Sequence, residues 1–286
     1  MRIGLVSNPE KDHGSYWAIR AARAIRRLGG VPVADPAGAA PALQSCPDVQ
    51  SGSCQSCDCI LCFGGDGTFL SAVHAHYLDD LPVLGVNLGS MGFLAEVPPD
   101  DIEEAVDRIL GGRYTIENRM MLDVAHLAGD GSLKRRDVAL NDAVLSRGGL
   151  SRILTLDLSI DGEHVERIPG DGIIVATPTG STAYSLSADG PLVSPTLELL
   201  LVTPICPHTL HNRTHIAAGS SEIVLQVVRY PYLPVLTVDG RLERTLEASD
   251  RIVIRKAAKP MRLIRIGWSG FYTFLQERLK ARGAME

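Results

Sequence analysis

The segment from Ile60 to Tyr77 constrains this chain more than any other. An apolar run of strand length, Ile60 to Phe63, passes directly into Gly64-Gly65-Asp66-Gly67-Thr68, and a helical pattern, Phe69 to Tyr77, follows at once. A strand that turns through glycines into a helix is the opening of a βαβ crossover, and crossovers build parallel sheets. The surrounding sequence repeats the alternation. Arg2 to Val6 reads as a strand. Ser15 to Leu28 reads as a helix with Ser15 as N-cap, Ala18, Ala21, Ala22, Ile25 and Leu28 on one face, and Gly29 as the stop. Val31 to Ala34 and Val83 to Val86 are further strands. Asp100 to Leu110 is a helix with Ile102, Val106 and Ile109 on one face. Residues 35–58, rich in Pro, Ala, Ser and Gly, read as a loop. Residues 1–112 are therefore expected to form a doubly wound, Rossmann-like α/β domain.

The pattern changes after about residue 112. Leu122 to His126, Val138 to Ser146, Ile153 to Ile160, Ile173 to Ala176, Ile223 to Val228, Val235 to Val238, Arg251 to Ile254 and Leu263 to Ile266 are strand-like, and Asp161-Gly162 is a hairpin signal. Residues 113–267 are expected to form a mostly antiparallel β domain. A closing helix within 268–286, strongest over Phe271 to Lys280, would rejoin the first domain.

Composition narrows the class of function. Hydrophobic residues make up 45% of the 286, enough for a sizeable core. The net charge of −5, with basic residues scattered, gives no nucleic-acid footprint. No apolar run reaches a membrane span, and the N-terminus lacks the pattern of a signal peptide, so the expected location is the cytoplasm. Four of the six cysteines, Cys54, Cys57, Cys59 and Cys62, lie close together. Cys54-x-x-Cys57 has zinc-ligand spacing, but no second pair stands at a distance, and Cys59 and Cys62 fall inside an apolar strand. They are read as core and loop residues, with no metal ligand assigned.

Several segments carry chemistry. The glycines of Gly64 to Thr68 let a backbone approach a phosphate, and the helix that follows offers its positive end to an anion, with Thr68 suited to the N-cap. A carboxylate in such a turn, Asp66, suits proton acceptance from a hydroxyl or help in holding a metal, although a tight strand–helix turn accounts for Gly and Asp equally well. Gly-x-x-x-x-Gly-Lys-Ser/Thr is absent, which removes the P-loop reading. Asn87 to Leu94 is a second glycine turn at the same sheet edge. Asn141-Asp142 interrupts an apolar run and could grip a ribose diol or an adenine edge. Gly170 to Ser187 ends a strand in a hydroxyl-rich turn and opens a helix near Ser181, with Tyr184 able to stack on a base.

Gly64 to Leu70, Asn87 to Leu94, Leu140-Asn141-Asp142, Gly170 to Ser187, Thr203 to Leu210 and Asp239-Gly240 stand in the order found in NAD kinases. The sequence resembles that family over almost its whole length. The Gly-Gly-Asp-Gly-Thr element is shared more widely, with diacylglycerol and sphingosine kinases. The resemblance implies transfer of the γ-phosphate of ATP, with Mg²⁺, to the adenosine 2′-hydroxyl of NAD. It implies that Asp66 accepts the hydroxyl proton and that Gly67 lines the same site. Asn141 and Asp142 would bind NAD, and Asp171 with Thr182, Ala183, Tyr184, Ser185, Leu186 and Ser187 would hold its adenosine part. Arg152 would contact the dinucleotide. It implies also a homo-oligomer, a dimer or tetramer, whose NAD sites draw on neighbouring subunits, and a cleft between the two domains. The sequence departs from the family pattern at Asp189, where Gly is usual, at Arg241, where Gln is common, and at Pro169, where some members carry Arg. Two rival readings stay open: a lipid kinase of the diacylglycerol type, and a dinucleotide-binding regulator without turnover.

Overall fold

A computed structural model describes residues 1–36, 39–89, 92–149, 152–209, 213–247, 249–267 and 270–276. The chain divides into two compact units, Met1–Asn118 with Met261–Glu286, and Arg119–Pro260.

In the first unit the elements run β1 (Arg2–Ser7), α1 (Tyr16–Arg27), β2 (Val31–Ala34), α2 (Pro41–Gln44), β3 (Gln50–Ser51), β4 (Cys59–Gly64), α3 (Asp66–His76), β5 (Val83–Asn87), α4 (Ile102–Leu110) and β6 (Thr115–Arg119). The sheet order is β3-β2-β1-β4-β5, and β1 pairs in parallel with both β2 and β4, as does β4 with β5. All six residues of β4 are buried, which is why its sequence is continuously apolar rather than alternating. The expected α/β architecture is present.

Several local expectations are corrected. Ser15 does not cap α1: it has φ 54° and makes no side-chain capping bond. The buried Asp12 does that work instead, its carboxylate accepting from Trp17 N at 2.9 Å and Ala18 N at 3.1 Å. Leu28 lies past the helix end and is exposed. Residues 35–58 are not simply a loop: α2 and β3 lie within them, and Leu43, Cys46 and Cys54 are buried there, with Leu43 packed into the core of the first unit.

The second unit contains β7 (Leu122–Leu127), β8 (Leu133–Ala139), β9 (Asp142–Ser146), β10 (Leu154–Ile160), β11 (Glu163–Gly170), β12 (Gly172–Ala176), α5 (Tyr184–Ser187), β13 (Leu199–Ile205), β14 (His215–Ala218), β15 (Ile223–Arg229), β16 (Val235–Val238), β17 (Leu242–Thr245) and β18 (Arg251–Lys256). They form two six-stranded antiparallel sheets, β11-β10-β15-β18-β7-β8 and β14-β13-β12-β9-β16-β17. One cluster joins them face to face, with Leu122, Leu156, Leu225 and Ile252 from the first meeting Leu145, Ile173, Val175 and Leu236 from the second. The β10–β11 hairpin turns at Asp161 and Gly162, with φ 52° and 84°, as the Asp-Gly signal demands.

Val138 to Ser146 was expected as one strand. It is divided between β8 and β9, which belong to different sheets, because the chain breaks at Leu140-Asn141. The last strand, β19 (Met261–Arg265), was grouped with the β domain by its pattern; it lies instead in the first sheet, between β5 and β6 and parallel to β5. Residues 271–276 are helical, and the rest of the closing helix expected over 268–286 lies outside the described residues save for Gly270.

Candidate active site

Adjacent parallel strands place their carboxyl ends together, and β1, β4 and β5 bring Asn8, Gly64 and Asn87 to one edge. Leu88 N donates to Gly64 O at 3.0 Å, and Asn8 N to Phe63 O at 3.0 Å, so the turns are tied to one another. Helix α3 starts at Asp66 with Gly65 as its N-cap, not at Thr68. Thr68 sits in the first turn, where its hydroxyl accepts from Asn8 Nδ2 at 3.1 Å. A Cβ at Gly64 would lie 2.3 Å from that hydroxyl. One at Gly65 would lie 2.7 Å from Lys11 Nζ, and one at Gly89 2.9 Å from the same atom. The ammonium of Lys11 therefore lies over two glycine backbones, beside the start of α3. A cation, a helix N-terminus and bare backbone together suit a polyphosphate.

Asp66 is held from the other glycine turn. Its two carboxylate oxygens accept from Phe93 N at 2.9 Å and Leu94 N at 3.1 Å. Gly92 makes room, since a Cβ there would lie 2.1 Å from Asp66 Oδ1. Each oxygen keeps lone-pair capacity for another donor. Ser90 and Met91 of this turn lie outside the described residues.

In the second unit, Asp142 opens β9 opposite Ala176, the last residue of β12, and Ala143 opposes Val238, the last of β16. The start of one strand and the ends of its two neighbours thus bring Asn141-Asp142, the Thr177 to Ser187 block and Asp239 together. Asp239 organises the cluster: its carboxylate accepts from Leu140 N at 2.8 Å, Asn141 N at 2.8 Å and Asp142 N at 3.0 Å. Those three amides are the ones a continuous strand would have paired sideways, which is why the run from Val138 breaks here. Thr177 locks the break from the other side, donating its hydroxyl to Leu140 O at 2.5 Å and its N–H to Asn141 O at 2.8 Å. Burial, with the Asp239 carboxylate adding to it, pushes the Asp142 carboxyl up to about 7, against a smaller opposing effect of the Tyr184 N–H bonded to it.

The hydroxyl-rich block is less uniform than its sequence. Thr179 to Thr182 is a 3₁₀ turn, and α5 is a single helical turn starting at Tyr184, later than expected. Tyr184 is 47% exposed, so it is not a core aromatic. Ser187 is exposed, and Ala183 and Leu186 are half-buried. Thr182 is buried with its hydroxyl donated to Thr179 O at 3.2 Å, and Ser185 is fully buried against Thr203 Oγ1 at 3.1 Å. Asp171 is ion-paired with Arg147 at 2.7 Å, and Arg152 is exposed just before β10. Asp189 adopts φ 64°, the left-handed conformation that makes Gly the usual residue there and that Asp tolerates.

Residues 3–114 match the family described as the ATP-NAD kinase N-terminal domain, and residues 140–266 match the ATP-NAD kinase C-terminal domain. The chain belongs to the ATP-NAD kinase family. This family member is 43% identical over 282 residues to an NAD kinase of Ruminiclostridium cellulolyticum, covering 98% of each chain. It is 38% identical over 296 residues to one of Acetivibrio thermocellus, covering 99% of this chain and 98% of the relative. Among solved structures it is similar to yeast NADH kinase complexed with NADH, with a TM-score of 0.88 and 26% identity over 98% of this chain and 87% of that one. It shares its fold with an Archaeoglobus fulgidus NAD kinase in complex with ATP, at a TM-score of 0.72 and 24% identity, covering 99% of both chains.

Lys11, over the glycine turns, escaped sequence reasoning, and Asp239 was only partly read. Lys11 stands in the polar run Ser7 to Asp12 directly after β1, and its place at the carboxyl edge was the available signal. Asp239 was legible only as part of a motif; its hold on a strand break about 100 residues earlier leaves no local trace.

Proposed function

We propose that this chain is an NAD kinase that transfers the γ-phosphoryl group of ATP to the adenosine 2′-hydroxyl of NAD, giving NADP and ADP. The observation that carries the reading is the placement of Asp66, a carboxylate fixed by two backbone N–H groups where glycine turns, Lys11 and a helix N-terminus meet. Phosphoryl transfer asks mainly for positioning, charge neutralisation and a base beside the attacking hydroxyl. Lys11 and the first turn of α3 hold the phosphates. Asp66 takes the proton of the 2′-hydroxyl. Asn141 and Asp142 hold NAD hydroxyls, Gly67 lines the site beside Asp66, Tyr184 covers a face of the adenine, and Asp171, Arg152 and the rest of Thr182 to Ser187 complete the grip.

Among the described residues no group of three or more His, Cys, Asp or Glu is arranged to hold a metal. Mg²⁺ binds through substrate phosphates, water and one or two carboxylates rather than a protein cage. The ion would be held through the substrate phosphates and would neutralise their charge, which leaves Asp66 to accept the hydroxyl proton. The reading extends to the cytoplasm and to a homo-oligomer, a dimer or tetramer, whose subunit number light scattering on the purified protein determines. No described helix is long and apolar enough to cross a membrane.

The deciding experiment is an assay of NADP formation from NAD and ATP, read through an NADP-specific dehydrogenase. Phosphorylation of diacylglycerol without NADP formation would support the lipid-kinase reading, and NAD binding without turnover would support the regulator.

Asp142 gives a pH test. An ionised carboxylate accepts NAD hydroxyls more strongly than a protonated one, so the KM for NAD should fall as pH rises through about 7, and Asp142→Asn should flatten that limb. Stability should move the other way. The folded carboxyl is raised from an ordinary value of 3.8, so its contribution is full below that pH and is lost as pH rises through about 7. Melting curves from pH 4 to 8 should show Asp142→Asn gaining on the wild type as pH increases. Parallel melting curves would end the stability role, and a pH limb in the KM for NAD that Asp142→Asn leaves unchanged would end the binding role.

Tyr184→Ala should raise the KM for NAD, leave that for ATP nearly unchanged and alter the melting temperature little, since the ring is half exposed and stacking is worth about 0.5–1.5 kcal/mol beyond burial. A large fall in melting temperature with an unchanged KM for NAD would show the ring serving the fold alone.

A further inference from the structure

The four clustered cysteines, Cys54, Cys57, Cys59 and Cys62, take no part in the site described above, and they are not equivalent. Cys59 and Cys62 belong to the interior strand β4, where burial pushes both thiols up to about 12 and leaves them poor nucleophiles. Cys54 and Cys57 differ in backbone and in surroundings. They bracket a 3₁₀ turn in which Cys57 N donates to Cys54 O at 2.9 Å. A turn closed in this way holds its first and fourth Cα atoms within about 7 Å, overlapping the span a disulfide needs, about 4.4–6.8 Å. Their side chains already meet, the Cys57 thiol hydrogen-bonding to Cys54 sulfur and drawing the Cys54 thiol downward.

The turn also lies at the surface. Ser53, Gln55, Ser56 and Asp58 are exposed, while Cys54 and Cys57 between them are buried, at 1% and 7% exposure. Ser53 caps the turn through its hydroxyl, accepting from Gln55 N at 3.2 Å, and the Arg2 backbone N–H donates to the Asp58 carboxylate at 2.6 Å. The pair is thus held on a fixed scaffold, and a small peroxide reaches the buried Cys54 sulfur when this short surface turn opens.

We propose that Cys54 and Cys57 are a reversible oxidation site that takes a small peroxide and closes to an intramolecular disulfide. The Cys54 thiolate attacks one peroxide oxygen, the O–O bond breaks, and the departing oxygen leaves as water after taking up a proton, so that Cys54 becomes a sulfenic acid. Cys57 sulfur then displaces that hydroxyl, forming the S–S bond and releasing a second water with the Cys57 proton. Two thiols and one hydrogen peroxide give one disulfide and two waters, and a dithiol reductant reverses the change. The site stands apart from the catalytic residues, so it holds or fails independently of the phosphotransfer reading.

The sequence supplies a direct test on the unmodified full chain. Cleavage before Asp48 and Asp58 releases Asp48–Cys57, a peptide that carries Cys54 and Cys57 and no other cysteine. After brief hydrogen peroxide treatment of the folded protein, alkylation and digestion, this peptide should lose two hydrogens and take up no alkyl group. Dithiothreitol before alkylation should restore two alkyl groups. Cys54→Ser and Cys57→Ser, each checked for a native melting curve, should each abolish the loss. A peptide that remains doubly alkylated, that carries only irreversible oxygen adducts, or that comes from protein isolated with about one zinc per chain released by these thiols would overturn the proposal.

Discussion

Asp66→Asn is expected to lower turnover about 10²–10⁴-fold, the span typical of a lost general base, while leaving the affinity for NAD largely intact. The structure adds a consequence that the sequence did not contain. Both oxygens of Asp66 accept backbone N–H groups, from Phe93 and Leu94, so an amide at this position must turn its NH₂ toward one of them. A buried donor left without its acceptor costs about 1–3 kcal/mol, so the variant should also melt earlier. Steady-state kinetics, NAD titration calorimetry and a melting curve on one preparation separate the effects. A fall in stability with near-normal turnover would leave Asp66 as a latch for the 92–94 turn and would end its role as the base.

Gly180→Ala is expected to be the most damaging single methyl in the second unit. The added Cβ would lie 2.1 Å from Asn141 O and 2.6 Å from Asn141 C, both backbone atoms that cannot rotate away. Overpacking of a buried position typically costs about 1–3 kcal/mol and can exceed it when backbone must move. Here the atoms displaced are those that Thr177 and Asp239 hold in place at the strand break. The KM for NAD should therefore rise at least about tenfold, with the KM for ATP changing less, in addition to the loss of stability. Gly67→Ala is the contrasting case, because nothing lies within 4 Å of its added Cβ and the position is helical. Its melting temperature should hold or rise slightly. A Gly180→Ala protein with a native melting curve and an unchanged KM for NAD would mean that the 3₁₀ turn does not support the NAD site.

The first sheet was legible because its signals are local: apolar runs, glycine stops and a strand that passes into a helix within five residues. So was the hairpin at Asp161-Gly162, where two successive residues with positive φ identify the turn. What escaped is what long-range partners decide. Leu140 to Asp142 look like the middle of a strand, and the distant Asp239 and Thr177 hold the break that divides them between two sheets. Met261–Arg265 carries the pattern of any buried strand, and nothing within it says which sheet it completes. Caps were misassigned for a related reason. Ser15 and Thr68 have the right chemistry at the right spacing, yet Asp12 and the Gly65 backbone fill the positions. At the candidate site, residue type left open which way a side chain faces. Ser185 and Thr182 belong to a hydroxyl-rich motif, but their oxygens are turned into the protein.

The place of β19 bears on how the chain is made. Leu263 pairs with Val83, so the sheet begun by the first 87 residues waits for a strand encoded about 180 residues later. At about 5–20 residues per second on a ribosome, that wait is roughly 10–40 s. Throughout it, β5 lacks the neighbour that covers its flank, and an uncovered apolar strand is a template for wrong pairing. The cost of closing so long a loop is met late, when the Arg265 guanidinium reaches Glu96 and Glu117 and the Ile266 N–H reaches Glu96. Synthesis of the second unit therefore acts as a timer on completion of the first. Codon changes that slow translation across residues 119–260 should lengthen the interval in which the nascent chain needs a chaperone, without altering one atom of the finished enzyme.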